Sequence, residues 1–490
     1  MDAAKAKPTN ATYDVGGDAA ERRRGPRPRE AVEAQKVEFY AKREKIYPRQ
    51  VHGWFRRLRV TGVLVLLGTY YLLPWVPWQG RQAVLFDLPA RKFYIFDWVF
   101  WPQDVFYLAL LLIIAAYALF FFTTLAGRLW CGYACPQTVW TEVFLWMERL
   151  VEGGRSKRMK LDRARWGHRK LAKKSLKHAL WLAFAFWTGF TFVGYFTPIT
   201  ELTGKVAVLA LGPWETFWIF FYGLATWGNA GFLREQVCIY MCPYARFQGA
   251  MFDNDTLVIS YDEARGEPRG PRQRGVDPRA LGLGDCVGCT LCVQVCPTGI
   301  DIRDGLQYQC IGCAACIDVC DEVMEKVGYP KGLIRYTTEN ALRGQSTRVL
   351  RPRVLIYGAL LIVLVGALLV ALAVRTPLEL DVLRDRNALY RETSRGLVEN
   401  VYRVKIINMD QAAHDYRLEL EGLPHARLMH AYGETVSVAA GEVLEVPVQV
   451  RIDPVHLEQG GTEIRFRIEA VDRADLVDAA ESRFIGPAMR

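Results

Sequence analysis

Residues 286–321 read CVGCTLCVQVCPTGIDIRDGLQYQCIGCAACIDVCD, and the cysteine spacing decides what is built here. Cys286, Cys289, Cys292 and Cys296 form C-x2-C-x2-C-x3-C, followed by Pro297. Cys310, Cys313, Cys316 and Cys320 repeat that spacing, followed by Asp321. This matches the bacterial two-cluster ferredoxin pattern, in which the fourth cysteine of each run serves the other cluster. By that rule Cys286, Cys289, Cys292 and Cys320 hold one [4Fe–4S] cluster, and Cys296, Cys310, Cys313 and Cys316 hold the second. A pair of zinc sites is the rival reading, but zinc asks for four ligands in two pairs, not two sets of four. Asp321 stands where a second proline is usual; it predicts a changed local turn or potential but removes no ligand. The expected module is ferredoxin-like α+β, over residues 251–353.

On either side of this module the chain turns apolar. Val105–Ala126 (VFYLALLLIIAAYALFFFTTLA) has 22 residues and no charge. At 1.5 Å per residue that is about 33 Å of helix, enough for a hydrocarbon core of roughly 30 Å. Val354–Val374 is equally apolar, and Val60–Trp78, Ala179–Phe196 and Thr216–Leu233 are less pure. A buried helix in a large soluble core is the plainer reading of any one run. Five in one chain predict a helical transmembrane bundle, with four spans within 58–250 and a fifth at 354–374. The basic residues before the first run, with no small-residue cleavage site after it, predict a retained anchor.

Flanking charge predicts the orientation. Lys and Arg number 14 in residues 1–57, three in 76–103, 13 in 127–178, one in 197–213 and 15 in 234–353. That alternation predicts an inner bacterial membrane protein. It predicts that residues 1–57 form a basic cytoplasmic segment, with a disordered tail expected over the first 34. The ferredoxin-like module is also cytoplasmic, and residues 375–490 are periplasmic. Trp75, Trp78, Trp98 and Trp101 fall where an outer aromatic belt would lie, and Phe93–Trp101 reads as interfacial.

Composition agrees. The 490 residues are 51% hydrophobic and 23% charged, and the mean hydropathy of +0.04 averages very unlike segments. A simple soluble globule, a disordered chain and a fibrous repeat are thereby excluded. Residues 375–490 carry −5 and the remainder +15. Membrane topology and lipid contact account for the positive excess, so nucleic acid is not an expected partner. All twelve cysteines lie between residues 131 and 320, on the side where thiolates stay reduced.

Residues 398–470 alternate polar and apolar at Val401–Ile407, Tyr416–Glu421, Leu444–Ile452 and Ile464–Ala470, with Gly, Pro and Asp between. This predicts a β-sandwich of roughly 110 residues without a disulfide. His425, Met429 and His430 are close enough in sequence to touch copper. An ordinary surface loop is the preferred reading of those three.

The four remaining cysteines make a second repeat. Cys131-Gly132-Tyr133-Ala134-Cys135-Pro136 follows the second run, and Cys238-Ile239-Tyr240-Met241-Cys242-Pro243 follows the fourth, 107 residues on. Positions i and i+4 share a helix face, so each pair offers two sulfurs to one ion and both together offer four. Soft thiolates favour Cu(I), zinc or iron–sulfur. A dithiol–disulfide switch and four buried thiols that merely pack remain open. None of the seven histidines lies inside an apolar run, which argues against a transmembrane haem, and no strand–GxGxxG–helix announces a nucleotide domain.

These features together resemble the cytochrome c oxidase accessory family called CcoG, FixG or RdxA. The resemblance rests on the paired C-x3-C-P motifs, the double ferredoxin run, Phe100-Trp101-Pro102-Gln103-Asp104 before the second apolar run, and a sandwich after the last; it covers about residues 35–490. It implies an immunoglobulin-like C-terminal domain and a role in assembling cbb3-type oxidase. It implies reduction of Cu(II) to Cu(I); because both cysteine sets fall on one side by the charge count, Cys131, Cys135, Cys238 and Cys242 are the expected copper site, with Met241 a further donor. Expected partners are an unidentified cytoplasmic electron donor, a copper chaperone or exporter, and the oxidase assembly machinery. Two alternatives stand beside it: a quinol-linked iron–sulfur carrier of a respiratory chain, and a non-enzymatic assembly factor.

Overall fold

The computed structural model describes residues 45–272, 282–457 and 461–487. The tail expected over the first 34 residues lies outside them. Helix α1 (Trp54–Leu72) starts at Gly53, and its first free N–H groups are met from far along the chain. The Asp318 carboxylate accepts from Arg56 N at 2.7 Å and Phe55 N at 3.2 Å. An antiparallel sheet follows, of β1 (Val84–Asp87), β2 (Lys92–Ile95) and β3 (Trp98–Phe100). Trp75, Trp78 and Trp98 are exposed as an aromatic belt requires. Trp101 is not: it is buried, with the Lys92 ammonium 5.0 Å from its ring.

The uncharged run forms α2 (Val105–Ala126) without interruption, because nothing in it breaks a helix. After it come α3 (Leu129–Tyr133), α4 (Pro136–Glu152), α5 (Arg155–Arg163), α6 (His168–Val193) and α7 (Pro213–Thr226). Two π-type segments, Trp227–Leu233 and Val237–Met241, lead into α8 (Pro243–Met251).

The duplication read from the cysteines is visible in the backbone. Gly127 ends α2 at φ 54°, ψ −121°, and Arg234 ends the first π-type segment at φ 47°, ψ −113°. Each stands four residues before the first cysteine of its motif. Such a conformation suits glycine and strains arginine. Arg234 is held in it by buried charge: its guanidinium reaches Glu148 at 2.9 Å and Gly231 O at 2.9 Å. Arg158 also meets Glu148, at 3.2 Å, and Lys177 meets Glu152 at 3.1 Å.

Strand β4 (Val258–Tyr261), α9 (Leu291–Val295), α10 (Ala315–Val327) and β5 (Ile334–Thr337) form the small α+β unit carrying the eight cysteines, with β4 and β5 antiparallel. Helix α11 (Pro352–Ala373) then packs along α2. Among the described residues, three helices are long and apolar enough to cross a membrane: Trp54–Trp75, Pro102–Ala126 and Pro352–Ala373. The five-span expectation is matched at three of its five places. The other two runs do not form uniform apolar helices. Helix α6 begins at His168 and carries Arg169, Lys170, Lys173, Lys174 and Lys177 before its apolar part. Helix α7 gives way to π-type turns after 14 residues.

The C-terminal part is an antiparallel sandwich. Its strands are β6 (Leu378–Arg384), β7 (Val398–Asn408), β8 (His414–Glu421), β9 (Arg427–Met429), β10 (Val436–Val438), β11 (Val443–Ile452), β12 (Thr462–Ala470) and β13 (Val477–Phe484). One sheet runs β9-β11-β7-β6, with Arg391–Glu392 also on β7; the other runs β10-β8-β12-β13. Alternation works as expected: Tyr416 and Leu418 point in, Arg417 and Glu419 out. Tyr402, Tyr416, Phe466 and Phe484 are fully buried between the sheets. The Asn400 amide closes one end, donating to Ile485 O at 2.8 Å and accepting from Ile485 N at 3.1 Å.

Candidate iron–sulfur site

The two cysteine runs fold as copies of one loop. Gly288 and Gly312 both have φ 67°, and Thr290 and Ala314 have φ 56° and 57°. A left-handed residue on either side of Cys289 and of Cys313 curls each loop into the backbone concavity typical of anionic clusters. Thr290 and Ala314 then start α9 and α10. The copies diverge at their ends. Cys296 is extended and Pro297 follows, so α9 stops after five residues. Helix α10 instead runs through Cys320 to Val327, where a proline would break it. Asp321 is therefore not at a turn; its carboxylate accepts from Gly332 N at 2.9 Å and fastens the approach to β5.

Two pockets open between the loops. Cys286, Cys289, Cys292 and Cys320 line one, with Tyr261, Arg303 and Met324. Cys296, Cys310, Cys313 and Cys316 line the other, with Ile259, Ile302 and a further contribution from Cys292. Each pocket thus has sulfur from both runs. Burial pushes the Cys292 thiol up to about 11 and Cys310 and Cys320 up to about 12, and it raises Cys316 well above the ordinary thiol value. Thiolates in so apolar a place need a cationic partner. No three His, Cys, Asp or Glu side chains among the described residues converge as on a single ion. The donor chemistry and the four-sided pockets fit a cube that keeps its thiolates apart at the corners, and they do not fit mononuclear zinc.

The helix-end cysteines do not sit on two helix faces. Cys131 lies in the short α3, while Cys135 is extended at φ −59°, ψ 128° and leads α4 with Pro136 in its first turn. Cys238 lies in a π-type turn, and Cys242, at φ −81°, ψ 111°, leads α8 with Pro243. A proline at the first helical position requires an extended residue before it, so the i, i+4 geometry is lost. The four are near enough to influence one another's charge, though they do not converge as on a single ion. Burial raises Cys135, and Cys242 adds to that; burial pushes Cys238 up to about 12, and Cys131, Cys135 and Cys242 add to that. Cys131 packs against the buried group containing Cys313. Gln248, fully buried, donates to Cys131 Sγ at 3.4 Å.

Gln248 and the helix-capping Asp318 escaped sequence reading, since nothing local marks either. Met241 is exposed. His425 stacks on His456 with ring centres 4.5 Å apart, Met429 is exposed and His430 accepts from Tyr432 N at 3.4 Å.

Fold and site together define an iron–sulfur electron-transfer protein: a ferredoxin-type module joined to apolar helices and an immunoglobulin-like domain. Family models match in three places. Residues 233–339 match a 4Fe-4S dicluster domain, residues 108–157 a 4Fe-4S binding domain, and residues 368–487 the IG-like fold at the C-terminus of FixG. Nitrogen fixation protein FixG of Rhizobium meliloti is 39% identical over 465 residues, covering 87% of this chain and 88% of that protein. Protein RdxB of Cereibacter sphaeroides is 45% identical over 407 residues (79% and 84%), and Protein RdxA of the same organism 40% over 424 (84% and 87%). The crystal structure of a FixG-related protein from Vibrio parahaemolyticus, 34% identical, covers 23% of this chain and 97% of its own, with a TM-score of 0.21. The chain belongs to the FixG/RdxA family.

Proposed function

We propose that this protein reduces Cu(II) to Cu(I) at a membrane surface, supplying the copper centre of a cbb3-type oxidase. Cys286, Cys289, Cys292 and Cys320 would hold one [4Fe–4S] cluster, and Cys296, Cys310, Cys313 and Cys316 the other. Bound clusters supply one-electron storage. The observation that carries the reading is the packing of Cys131 against the buried group containing Cys313, which brings the two cysteine sets together. Cys131, Cys135, Cys238 and Cys242 would receive Cu(II); its one electron would come from the clusters, which a cytoplasmic electron donor refills, and the cysteine sulfur favours the Cu(I) form that then leaves. Five crossings, with the cysteines on the cytoplasmic side and the sandwich outside, agree with the charge alternation along the chain.

The test is a quadruple Cys131→Ser, Cys135→Ser, Cys238→Ser, Cys242→Ser variant that retains both clusters. Anaerobic Cu(II) reduction should collapse; a parental rate would remove copper from this site. A second reading is favoured by the 4Fe-4S binding match over residues 108–157, which contains Cys131 and Cys135. There the four helix-end cysteines hold a cluster of their own. Iron and sulfide equal to three cubes per chain, falling to two in the quadruple variant, would establish it.

A further inference from the structure

One charged residue is tied to both cysteine sets. Arg128 follows the left-handed Gly127 and is buried. One guanidinium nitrogen donates to Tyr308 O, two residues before Cys310. The other donates to Ala245 O at 2.8 Å, three residues after Cys242. Its own carbonyl accepts from Gly132 N at 3.2 Å, inside the first C-x3-C-P motif. The backbones around it touch with no room to spare. A Cβ on Gly132 would lie 2.7 Å from Gly312 O, and one on Gly312 would lie 2.9 Å from Arg128 O. Tyr336 adds a bond to the same loop, its hydroxyl donating to Gly312 O at 2.7 Å. So two glycines allow the contact, and one guanidinium spans it.

We propose that Arg128 is a positioning residue coupling the helix-end cysteines to the cluster site of Cys296, Cys310, Cys313 and Cys316. It clamps their loops together and places one buried positive charge between them. This rests on the reading that the eight cysteines carry two clusters. A buried cation favours the state with one more electron, and it acts most strongly on the nearer group. Tyr308 and Gly312, against which Arg128 rests, stand two residues before Cys310 and one before Cys313, so the charge lies beside that cluster site.

The experiment is potentiometric titration, followed by low-temperature EPR, of full-length protein purified without oxygen, comparing Arg128→Gln and Arg128→Lys with the parent. In Arg128→Gln, the reduced-to-oxidised ratio of one cluster at fixed potential should fall at least tenfold. That equals a downward shift of about 59 mV for a one-electron couple. The other cluster should keep its midpoint. Arg128→Lys, which keeps the charge, should restore most of the shift. Equal shifts of both clusters, or none, would overturn the proposal. Should the glutamine variant lose its clusters, the lysine variant decides: parental midpoints support the role, and a tenfold fall at one cluster refutes it. A parent without iron and labile sulfide would instead defeat the two-cluster reading.

Discussion

Replacing Gly53 by alanine should loosen the start of helix α1 although Gly53 itself makes no side-chain contact. Its backbone is extended, at φ 161° and ψ −176°, which any residue tolerates. The obstacle is space: a Cβ there would lie 2.3 Å from both Cγ and Oδ1 of Asp318. Asp318 must move, and Arg56 N and Phe55 N then lose an acceptor now at 2.7 and 3.2 Å. Removing an N-terminal cap costs about 0.5–2 kcal/mol, and a partly buried carboxylate at the positive helix end adds up to about 2 kcal/mol. A combined loss of about 2 kcal/mol makes opening of that turn roughly thirtyfold more frequent, at 1.4 kcal/mol per factor of ten. Hydrogen–deuterium exchange of a peptide spanning residues 53–58, in detergent, reads this directly. Asp318→Ala should give the same acceleration, and the double variant little more, because both changes remove one interaction. Unchanged protection in either single variant, or summed effects in the double, would refute the cap.

Glu148→Gln should lower the midpoint of thermal denaturation in detergent by several degrees. It strips the carboxylate from buried Arg158 and Arg234, a loss of about 3–5 kcal/mol; a parental midpoint would refute the network. Cys320→Ala and Cys310→Ala should each halve iron and labile sulfide while sparing the other cluster's EPR signal; loss of the same signal in both would overturn the partition between runs. Phe466→Ala, in the middle of the sandwich core, should cost about 3–5 kcal/mol by calorimetry. His414 yields a pH prediction: burial depresses it, but Asp472 and Asp410, at 2.7 and 3.1 Å, outweigh that and raise it above 6.5. Its stabilisation is full below the unfolded value and fades as pH rises through the folded one. His414→Gln should flatten stability across that window, and an unaltered pH profile would exclude His414.

Much of this molecule can be read without coordinates where the signal is local. The eight-cysteine run announces its two loops because cluster ligation demands fixed short spacings, and the loops at Cys289 and Cys313 do share one conformation. Alternation in Tyr416–Glu421 and Ile464–Ala470 marks strands because one face of each is buried. Apolar length marks α2 and α11 for the same kind of reason. The misread parts depend on partners. Cys131 and Cys135 look like one helix face until Pro136 is seen to begin a new helix. Trp101 looks lipid-facing until it is found buried, with Lys92 over its ring.

Residue type and spacing by themselves determined the cofactor chemistry, the sandwich and the apolar helices, since each follows from interactions within a few residues. Only the tertiary structure decided that Asp318 caps a helix 262 residues away, that Gln248 donates to Cys131, and that Gly132 rests on Gly312. Such contacts form between segments that are neighbours only after folding. They depend on which side chains packing leaves facing one another, and no short stretch of sequence records that.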